Sequence, residues 1–386
     1  MSWAGTYDAS KTERVLLGAR AAHAIAVEAA RLDRHSVFLI CSGSLDATSG
    51  ICDAAAVALG ARFTGAFKHI GAHSPRNDVV AAALEARAAK ADLLVSIGGG
   101  SQIDGAKVIQ FCLDANLQSE DELLAYALRP EGPAPSKSIP EISTRAIAIP
   151  TTLSGAEFSQ IGGLSDPESG AKEGYLSPGF SPQSIIFDEE LALHTPIDLW
   201  LTAAIRSLDH AAEGLCAPNT YPYLDECFKG AIRLLAKALP AAKADPSDPV
   251  ARALGFQAVW TVSAGIGRVV NGASHGLGYV LGGFGVAHGH TSCVLLPAVL
   301  KWNEPVNEAR QRPIAEALGR PGVSASEAVR EFVKSLGLPT RLSEVGIAEE
   351  HRRKIAETGA AHSVVAGNPR PVGSPEDVLE ILALSD

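Results

Sequence analysis

Residues 93–107 read Leu93-Leu94-Val95-Ser96-Ile97-Gly98-Gly99-Gly100-Ser101-Gln102-Ile103-Asp104-Gly105-Ala106-Lys107. An apolar run is interrupted by three glycines and continues in a helical pattern, which is the order of a buried parallel strand, a tight turn and a helix. Glycine lets a ligand approach the backbone closely, and the free N–H groups at the start of a helix favour a phosphate. We therefore interpret Gly98, Gly99, Gly100 and Ser101 as a phosphate-binding loop. An ordinary strand-to-helix turn is the alternative.

The sequence on both sides of this loop alternates strand-like and helical patterns up to about Asp188. We predict strands at 14–17, 35–41, 62–67 and 144–149, and helices at 47–59 and from a capping Asn77 to about residue 90. Four prolines between residues 130 and 140 indicate an exposed loop. The alternation predicts an α/β domain with a parallel, helix-covered sheet, in which ligands bind at the carboxyl ends of the strands.

After Asp188 the pattern changes to long helices rich in alanine and leucine, without strand alternation. We therefore predict two domains, an α/β dinucleotide-binding domain over 1–187 and an all-helical domain over 188–386. Ser374, Pro375 and two following acids indicate the start of the last helix.

Composition excludes several classes of function. The 386 residues are 46% apolar and 20% charged, and 43 acidic against 33 basic residues give a net charge of -10. This balance disfavours nucleic acid and anionic membranes as partners, although it permits a small anionic substrate. No apolar run reaches the roughly 20 residues that span a bilayer, and the N-terminus lacks a secretory pattern. Six scattered cysteines without a CxxC pair indicate reduced thiols, so we expect a cytoplasmic protein.

The helix predicted around 200–215 carries a polar cluster. An apolar stripe at helical spacing occupies one face, and Arg206, Asp209, His210 and Glu213 fall together on another. A solvated face explains these charges without any function. The functional interpretation requires this face to line a binding site.

A second cluster lies between Asn271 and His290, where three histidines and seven glycines occur. Glycine costs a helix about 1 kcal/mol per position, so this density suggests close packing or a ligand. A loop with exposed histidines is the alternative. The remaining histidines, His73 among them, are isolated, and we assign them structural or solvent roles.

The order of these motifs resembles the iron-containing alcohol dehydrogenase superfamily, and within it the maleylacetate reductases. The resemblance rests on the GGGSxxDxxK pattern, Ile149-Pro150-Thr151-Thr152, the histidines His210, His275 and His288, and Gly367-Asn368-Pro369. It covers nearly the whole chain. It implies a Rossmann-like N-terminal domain, an all-helical C-terminal domain (the dehydroquinate synthase-like fold) and a nicotinamide cofactor in the cleft between them.

The resemblance also implies which residues bind the cofactor. The diphosphate is expected at the glycine loop with Asp104 close by, and the nicotinamide side at Thr151, Thr152, Leu153 and Lys172, with Leu191 and Thr195 on the adenosine side. Ser42, Gly43 and Ser44 end the first main strand without a carboxylate that could bind a ribose 2′-hydroxyl or repel a 2′-phosphate. We therefore predict that both NADH and NADPH are used.

The chain departs from the metal-dependent members at one position. Those members bind a divalent ion through three histidines and an aspartate four residues before the first histidine. Here that position is Arg206, which cannot become a ligand. Asp209 lies about 60° away around the helix. We therefore expect no metal; if a metal is bound, His210, His275 and His288 are the candidate ligands.

The arginine suggests an anionic keto substrate, because a guanidinium binds a carboxylate in bidentate fashion. We assign catalytic and substrate-binding roles to Arg206, His210, His275, His288 and Tyr279, with Lys172 assisting. A salt bridge from Arg206 to Asp209 or Glu213 is the rival interpretation.

The predicted function is the NAD(P)H-dependent reduction of maleylacetate, or a related keto acid, to 3-oxoadipate in the breakdown of aromatic compounds. The alternatives are a metal-dependent alcohol or hydroxyacid dehydrogenase and a cofactor-binding protein without catalysis. The family and an unpaired N-terminal strand suggest a homodimer.

Overall fold

A computed structural model describes Tyr7 and residues 11–129 and 135–386; the side chain of His288 lies outside the described part. Residues 130–134 of the predicted proline-containing loop are likewise outside it. The chain divides into two compact units between Thr195 and Pro196. The predicted boundary after Phe187 lies one short helix before this division.

The N-terminal unit contains a parallel sheet of six strands in the order β1-β8-β5-β4-β2-β3. The strands are β1 (Arg14–Leu17), β2 (Val37–Cys41), β3 (Phe63–Phe67), β4 (Leu93–Gly98), β5 (Arg145–Pro150) and β8 (Ser184–Phe187), and an antiparallel hairpin is formed by β6 (Ile161–Ser165) and β7 (Lys172–Leu176). The predicted parallel sheet is confirmed. The sequence analysis missed β8, which has only four residues, and the hairpin, whose glycines and charges mask the alternation of a strand.

Seven helices surround these strands in the described part of the N-terminal unit: α1 (Ala21–Arg31), α2 (Gly43–Ser49), α3 (Ile51–Leu59), α4 (Arg76–Ala88), α5 (Gly100–Asp114), α6 (Glu120–Leu124) and α7 (Glu189–Ala192). Two predictions were wrong in detail. The single helix at 47–59 is broken at Gly50, which adopts a left-handed φ of 64°. Asn77 does not cap α4, because Pro75 already occupies the N-cap position.

The sheet is buried on both faces, as expected for parallel strands covered by helices. Leu94 belongs to the apolar cluster on one face, whereas Val95 and Ile97 belong to the cluster on the other. Burial on both faces explains why β4 is a continuous apolar run instead of an alternating one. Because the strands are parallel, their carboxyl ends lie together at one end of the sheet, and the loops that follow them project from that end.

The described part of the C-terminal unit contains helices and no strand, as predicted: α8 (Ile197–Cys216), α9 (Pro222–Ala244), α10 (Pro249–Val262), α11 (Ala273–Gly283), α12 (His288–Ala317), α13 (Ala325–Ser335), α14 (Glu349–Ala361) and α15 (Pro375–Ala383). The predicted apolar stripe of α8 is buried. Ser374 caps α15 by accepting a hydrogen bond from the Asp377 amide. Among the described helices, none is long and apolar enough to cross a bilayer.

The cysteines carry free thiols, as the sequence suggested. Cys227 is partly exposed and the other five are buried.

Glu157 is a buried carboxyl group in the 3₁₀ turn Ala156–Phe158 that follows β5. Its side chain is fully shielded, and neither carboxyl oxygen has a hydrogen-bond partner among the described residues. Burial raises the pKa of Glu157 to about 7, and the charge of Lys107 only partly opposes this shift. The Lys107 ammonium already donates to Asp104 and to two backbone carbonyls. Glu157 therefore holds its proton at a pH where an exposed carboxyl is ionised.

This shift predicts a pH dependence of stability. An exposed glutamate has a pKa of 4.5, so between pH 4.5 and about 7 the folded state holds a proton that the unfolded state has lost. The contribution of the protonated Glu157 to the free energy of unfolding is therefore complete below pH 4.5 and is lost as pH rises through about 7. In urea denaturation, the free energy of unfolding of the wild type relative to Glu157→Gln should fall by roughly 3 kcal/mol between pH 4.5 and about pH 8.

The exposed Glu85 on α4 provides the control. Glu85→Gln makes the same chemical change at an exposed position and is measured over the same pH range. Parallel stability curves for the wild type and Glu157→Gln would show that Glu157 is ionised in the folded protein.

Candidate cofactor and substrate sites

The glycine loop lies between β4 and α5, as the sequence predicted. Gly98 has a φ of 146°, and a Cβ atom there would lie 2.8 Å from the Gln102 side chain. Gly99 is the N-cap residue of the fifteen-residue helix α5. Only glycine fits the backbone of Gly98, and the first amides of α5 are the groups that a phosphate would accept from.

Thr151 and Thr152 lie beside this loop because β5 pairs with β4. The Thr151 amide donates to the Gly98 carbonyl at 2.9 Å, and a Cβ on Gly99 would lie 3.3 Å from the Thr152 methyl group. The Thr195 hydroxyl donates to the Thr151 carbonyl at 2.8 Å. Three of the predicted cofactor residues are thus close to the loop.

Leu153 and Leu191 are placed differently. Both side chains are buried, and Leu191 packs in the apolar cluster on one face of the sheet. Leu153 and Leu191 therefore pack beneath these loops and support them.

Asp104, Lys172 and His73 gather near the start of α5. Burial lowers the pKa of Lys172, and Asp104 opposes that shift. Burial lowers the pKa of His73 as well, and the charge of Lys172 adds to the effect. The His73 amide donates to the Ser101 hydroxyl at 2.9 Å. The structure therefore brings His73, which the sequence analysis treated as isolated, to the predicted phosphate-binding loop.

His73 and Ser74 both adopt a left-handed backbone, with φ values of 65° and 53°. Such conformations cost on the order of 1–3 kcal/mol each for non-glycine residues. The Ser74 hydroxyl donates to the Ser101 carbonyl, and the Ser165 hydroxyl donates to the His73 carbonyl. These bonds hold the turn against α5 and against β6. The proline after Ser74 was the one local signal of an unusual turn.

Ser42, Gly43 and Ser44 follow β2 at the same sheet edge. The Ser42 amide donates to the Ile97 carbonyl at 2.9 Å, and the hydroxyls of Ser42 and Ser44 lie 3.1 Å apart. Ser42 is the N-cap residue of α2, and Gly43 and Ser44 lie in its first turn. Residues 42–44 therefore present hydroxyl groups and no carboxylate, as the sequence predicted.

In the C-terminal unit, the polar face of α8 is not solvated. Arg206, Asp209 and Glu213 are buried, and His210 is partly buried. Interpreting this face as solvent-exposed is therefore wrong. Charges with this little exposure require partners, because burying an unpaired charge is very costly.

Glu213 is the partner that fixes the start of α11. Its carboxylate accepts hydrogen bonds from the amides of Gly272 and Ser274, both at 2.8 Å, and lies 2.7 Å from Nδ1 of His275. The Asn368 side chain accepts from the Ala273 amide at 3.1 Å. The first turn of α11 is thus held by two side chains from other segments. The sequence marked both segments as motifs but did not show that they meet.

His275 and His210 form a pair. Nε2 of His275 lies 3.0 Å from Nδ1 of His210. Burial lowers the pKa of His275 to about 3, and the nearby Arg206 contributes to this lowering, so this imidazole is neutral. A neutral His275 that donates from Nδ1 to Glu213 has Nε2 as an acceptor for His210. Burial also raises the pKa of Glu213 and of Asp209.

Arg206 is held by Asp209 and Ser292. Its Nη1 donates to the Ser292 hydroxyl at 3.3 Å and lies 3.5 Å from Oδ2 of Asp209, so the rival salt bridge is present. The same Oδ2 accepts from Ser274 and Ser292. The guanidinium carbon lies 5.5 Å from the centre of the Tyr279 ring, which stacks on His362. The sequence analysis missed Ser274 and Ser292, which carry no signal beyond their proximity to the glycine-histidine cluster.

The described side chains do not form the ligand set implied for a metal. Asp209, Glu213 and His275 place their donor atoms within 4.8 Å of one another, but both carboxylates lie on the Nδ1 side of His275 and already accept hydrogen bonds. Among the described residues, no carboxylate oxygen lies close enough to both His210 and Nε2 of His275 to complete a metal site with them. The positively charged Arg206 lies in the same cluster. The predicted third ligand, the His288 side chain, is outside the described part.

Comparisons with known proteins identify the family to which this chain belongs. Residues 12–189 match the iron-containing alcohol dehydrogenase model, and residues 201–385 match the C-terminal model of the same family. Dehydrogenase ALT3 of Alternaria alternata is 31% identical over 89% of this chain and 97% of its own length. Maleylacetate reductase 2 of Cupriavidus pinatubonensis is 31% identical over 96% of this chain and 93% of its own length.

The crystal structure of maleylacetate reductase from Agrobacterium tumefaciens superimposes with a TM-score of 0.83 at 26% identity, covering 99% of this chain and 98% of that one. The expected fold is therefore confirmed. Together these matches support NAD(H)-dependent redox chemistry. The chain is an oxidoreductase that belongs to the iron-containing alcohol dehydrogenase family.

Proposed function

We propose that this protein reduces maleylacetate, or a closely related unsaturated keto acid, to 3-oxoadipate with NADH or NADPH as the reductant. The names of relatives at 29–31% identity support this substrate. The observation that carries the proposal is the buried Arg206, held between Asp209 and Ser292 and next to the His210–His275 pair.

Arg206 serves to bind a carboxylate of the substrate. The ion pair and the hydrogen bond described above both use Nη1, whereas a guanidinium carries five N–H donors in a planar fork. Asp209 and Ser292 fix the plane of this fork, so little side-chain entropy is lost when an anion binds. A dicarboxylic keto acid supplies the matching group.

The His210–His275 pair determines where the protons needed for the reduction are held. The reduced nicotinamide supplies hydride when it is bound, and addition to the conjugated double bond places negative charge on the ketone oxygen of the substrate. Glu213 keeps Nδ1 of His275 protonated, and the proton shared with His210 lies on the His210 nitrogen. Because both nitrogens of His275 are then engaged, this ring orients His210. Tyr279 and a protonated His210 are the candidates for stabilising the enolate oxygen until a proton is added to the carbon next to the ketone, which gives 3-oxoadipate.

Arg206→Ala tests substrate binding. We expect kcat/KM for maleylacetate to fall at least about thirtyfold, equivalent to roughly 2 kcal/mol, because a charge-assisted bidentate contact is lost. Arg206→Lys should recover only part of this loss, because an ammonium cannot reproduce the fork. Initial rates are followed by NAD(P)H absorbance, and thermal unfolding of each variant is measured in parallel.

Arg233→Ala, at an exposed position on α9, is the matched control and should retain wild-type kcat/KM. If Arg206→Ala changes only the thermal midpoint and leaves kcat/KM for the acid unchanged, Arg206 has a purely structural role.

We propose further that turnover does not require a divalent metal, since Arg206 supplies the positive charge of the site. Elemental analysis of the purified protein should find much less than one iron or zinc per chain. Incubation with a chelator followed by desalting should leave kcat unchanged. One tightly held ion per chain, together with activity lost on chelation and restored by that ion, would instead favour the metal-dependent alcohol or hydroxyacid dehydrogenase.

The proposed assembly is a homodimer. β1 forms one edge of the sheet and pairs only with β8 among the described residues, so its outer side is open to another strand.

A further inference from the structure

Two cysteines and an aspartate from three consecutive elements of the N-terminal unit come together. Cys41 is the last residue of β2, Asp46 lies in α2 and Cys52 lies in α3. The two sulfur atoms and a carboxylate oxygen of Asp46 all lie within 4.8 Å of one another. Both cysteines are buried, and the Asp46 side chain is only 14% exposed. The fold thus brings three possible metal ligands to one point.

Hydrogen bonds hold these three side chains in place. The Cys52 amide donates to Oδ1 of Asp46 at 2.8 Å, and Nζ of Lys68 donates to Oδ2 at 2.6 Å. The Cys41 thiol donates to the Ser42 carbonyl at 3.6 Å. A hydrogen bond with Cys52 and burial both raise the pKa of Cys41, so its sulfur carries a proton. The cluster is therefore preformed, with Asp46 shared between a backbone amide and a lysine.

This cluster differs from the group of Asp209, Glu213 and His275 in the C-terminal unit, which offers an ion no sulfur atom. The competing cation there is Arg206, which is buried and therefore cannot turn away. The competing cation here is Lys68, whose side chain is 36% exposed. A lysine ammonium on a flexible stem can leave its carboxylate for water at little cost. The Asp46 oxygen that binds Lys68 can thus be released to an ion.

The donor set matches a thiophilic divalent ion. Zn²⁺ and Cd²⁺ prefer thiolate ligands, and an aspartate oxygen completes such sets. Only thiolates coordinate, so binding releases the two thiol protons to solvent. The two negative charges gained by the sulfur atoms balance the two positive charges of the ion, and the net charge of the cluster stays the same. The cost of burying an ion is therefore compensated within the site.

We propose that Cys41, Cys52 and Asp46 bind one thiophilic divalent ion, which connects β2, α2 and α3. None of these ligands belongs to the histidine cluster, and the inference does not depend on the proposed substrate. The three side chains already have hydrogen-bond partners, so the site fills only when the ion is supplied. The low metal content expected of the protein purified without added metal is therefore unaffected.

Packing of two small apolar side chains is the simpler explanation, because buried cysteines often behave as hydrophobes. Cys112 on α5 is such a residue, buried in the apolar cluster on one face of the sheet. Cys112→Ala is therefore the matched control for the removal of one buried thiol.

The probe is Cd²⁺, because its thiolate complexes absorb in the ultraviolet, whereas an ion bound only by histidines or carboxylates gives no such band. Titration of the reduced wild type should develop this band up to about one Cd²⁺ per chain. Cys52→Ala should weaken Cd²⁺ binding at least about a hundredfold, and Cys112→Ala should leave it unchanged. Lys68→Met should tighten binding about tenfold, because the cation that competes for Asp46 is removed.

A second measurement uses only the wild type and so does not depend on the folding of a variant. Saturating Cd²⁺ should slow the alkylation of Cys41 and Cys52, followed by peptide mass spectrometry, at least about tenfold. The partly exposed Cys227 should react at the same rate with and without the ion.

A wild type without the thiolate band, or equal Cd²⁺ affinity in the wild type and Cys52→Ala, would overturn the proposed site. Unchanged affinity in Lys68→Met would remove Asp46 from the ligand set and overturn the three-ligand site. None of these measurements involves turnover, so a failure to reduce maleylacetate would reject the proposed function and leave this site standing.

Discussion

The buried carboxylate of Glu213 connects the two helices that carry the polar cluster of the C-terminal unit. It comes from α8, accepts two amides at the start of α11 and orients the His275 ring. Without these three donors the carboxylate would be a buried, uncompensated charge, and without the carboxylate the first turn of α11 would have unsatisfied amides. The same contacts place Nε2 of His275 against His210. One carboxylate, that of Glu213, therefore both caps α11 and orients the His275 ring.

A different constraint organises the N-terminal unit. Parallel strands direct their carboxyl ends to one edge, so loops that are distant in sequence become neighbours. The Gly98 carbonyl accepts from Thr151, and the Ser101 hydroxyl accepts from the His73 amide. The strained turn at His73 persists because several hydrogen bonds fix it. The buried sheet below these loops, packed on both faces, supplies their rigidity.

The local features of both units could be predicted from sequence patterns. The glycine loop, most strands and the α8 stripe follow from apolar periodicity and from backbone conformations that only glycine adopts. The short β8 and the hairpin β6–β7 lack that periodicity and were missed. The spacing in α8 placed Arg206, Asp209, His210 and Glu213 on one face, but a helical face is equally polar whether it meets water or other charged groups. Its burial followed only from packing against segments tens of residues away in the chain.

The sequence by itself determined the class of fold, the glycine loop and the family, because these depend on residues that are close together in the chain. Tertiary structure decided the environment of each titratable group: Arg206 is held by Asp209 and Ser292, burial lowers the pKa of His275, and Lys68 donates to Asp46 of α2. The physical reason is that the protonation and orientation of a side chain depend on desolvation and on partners at a few ångströms. Such partners are brought together only when strands and helices from distant parts of the chain pack.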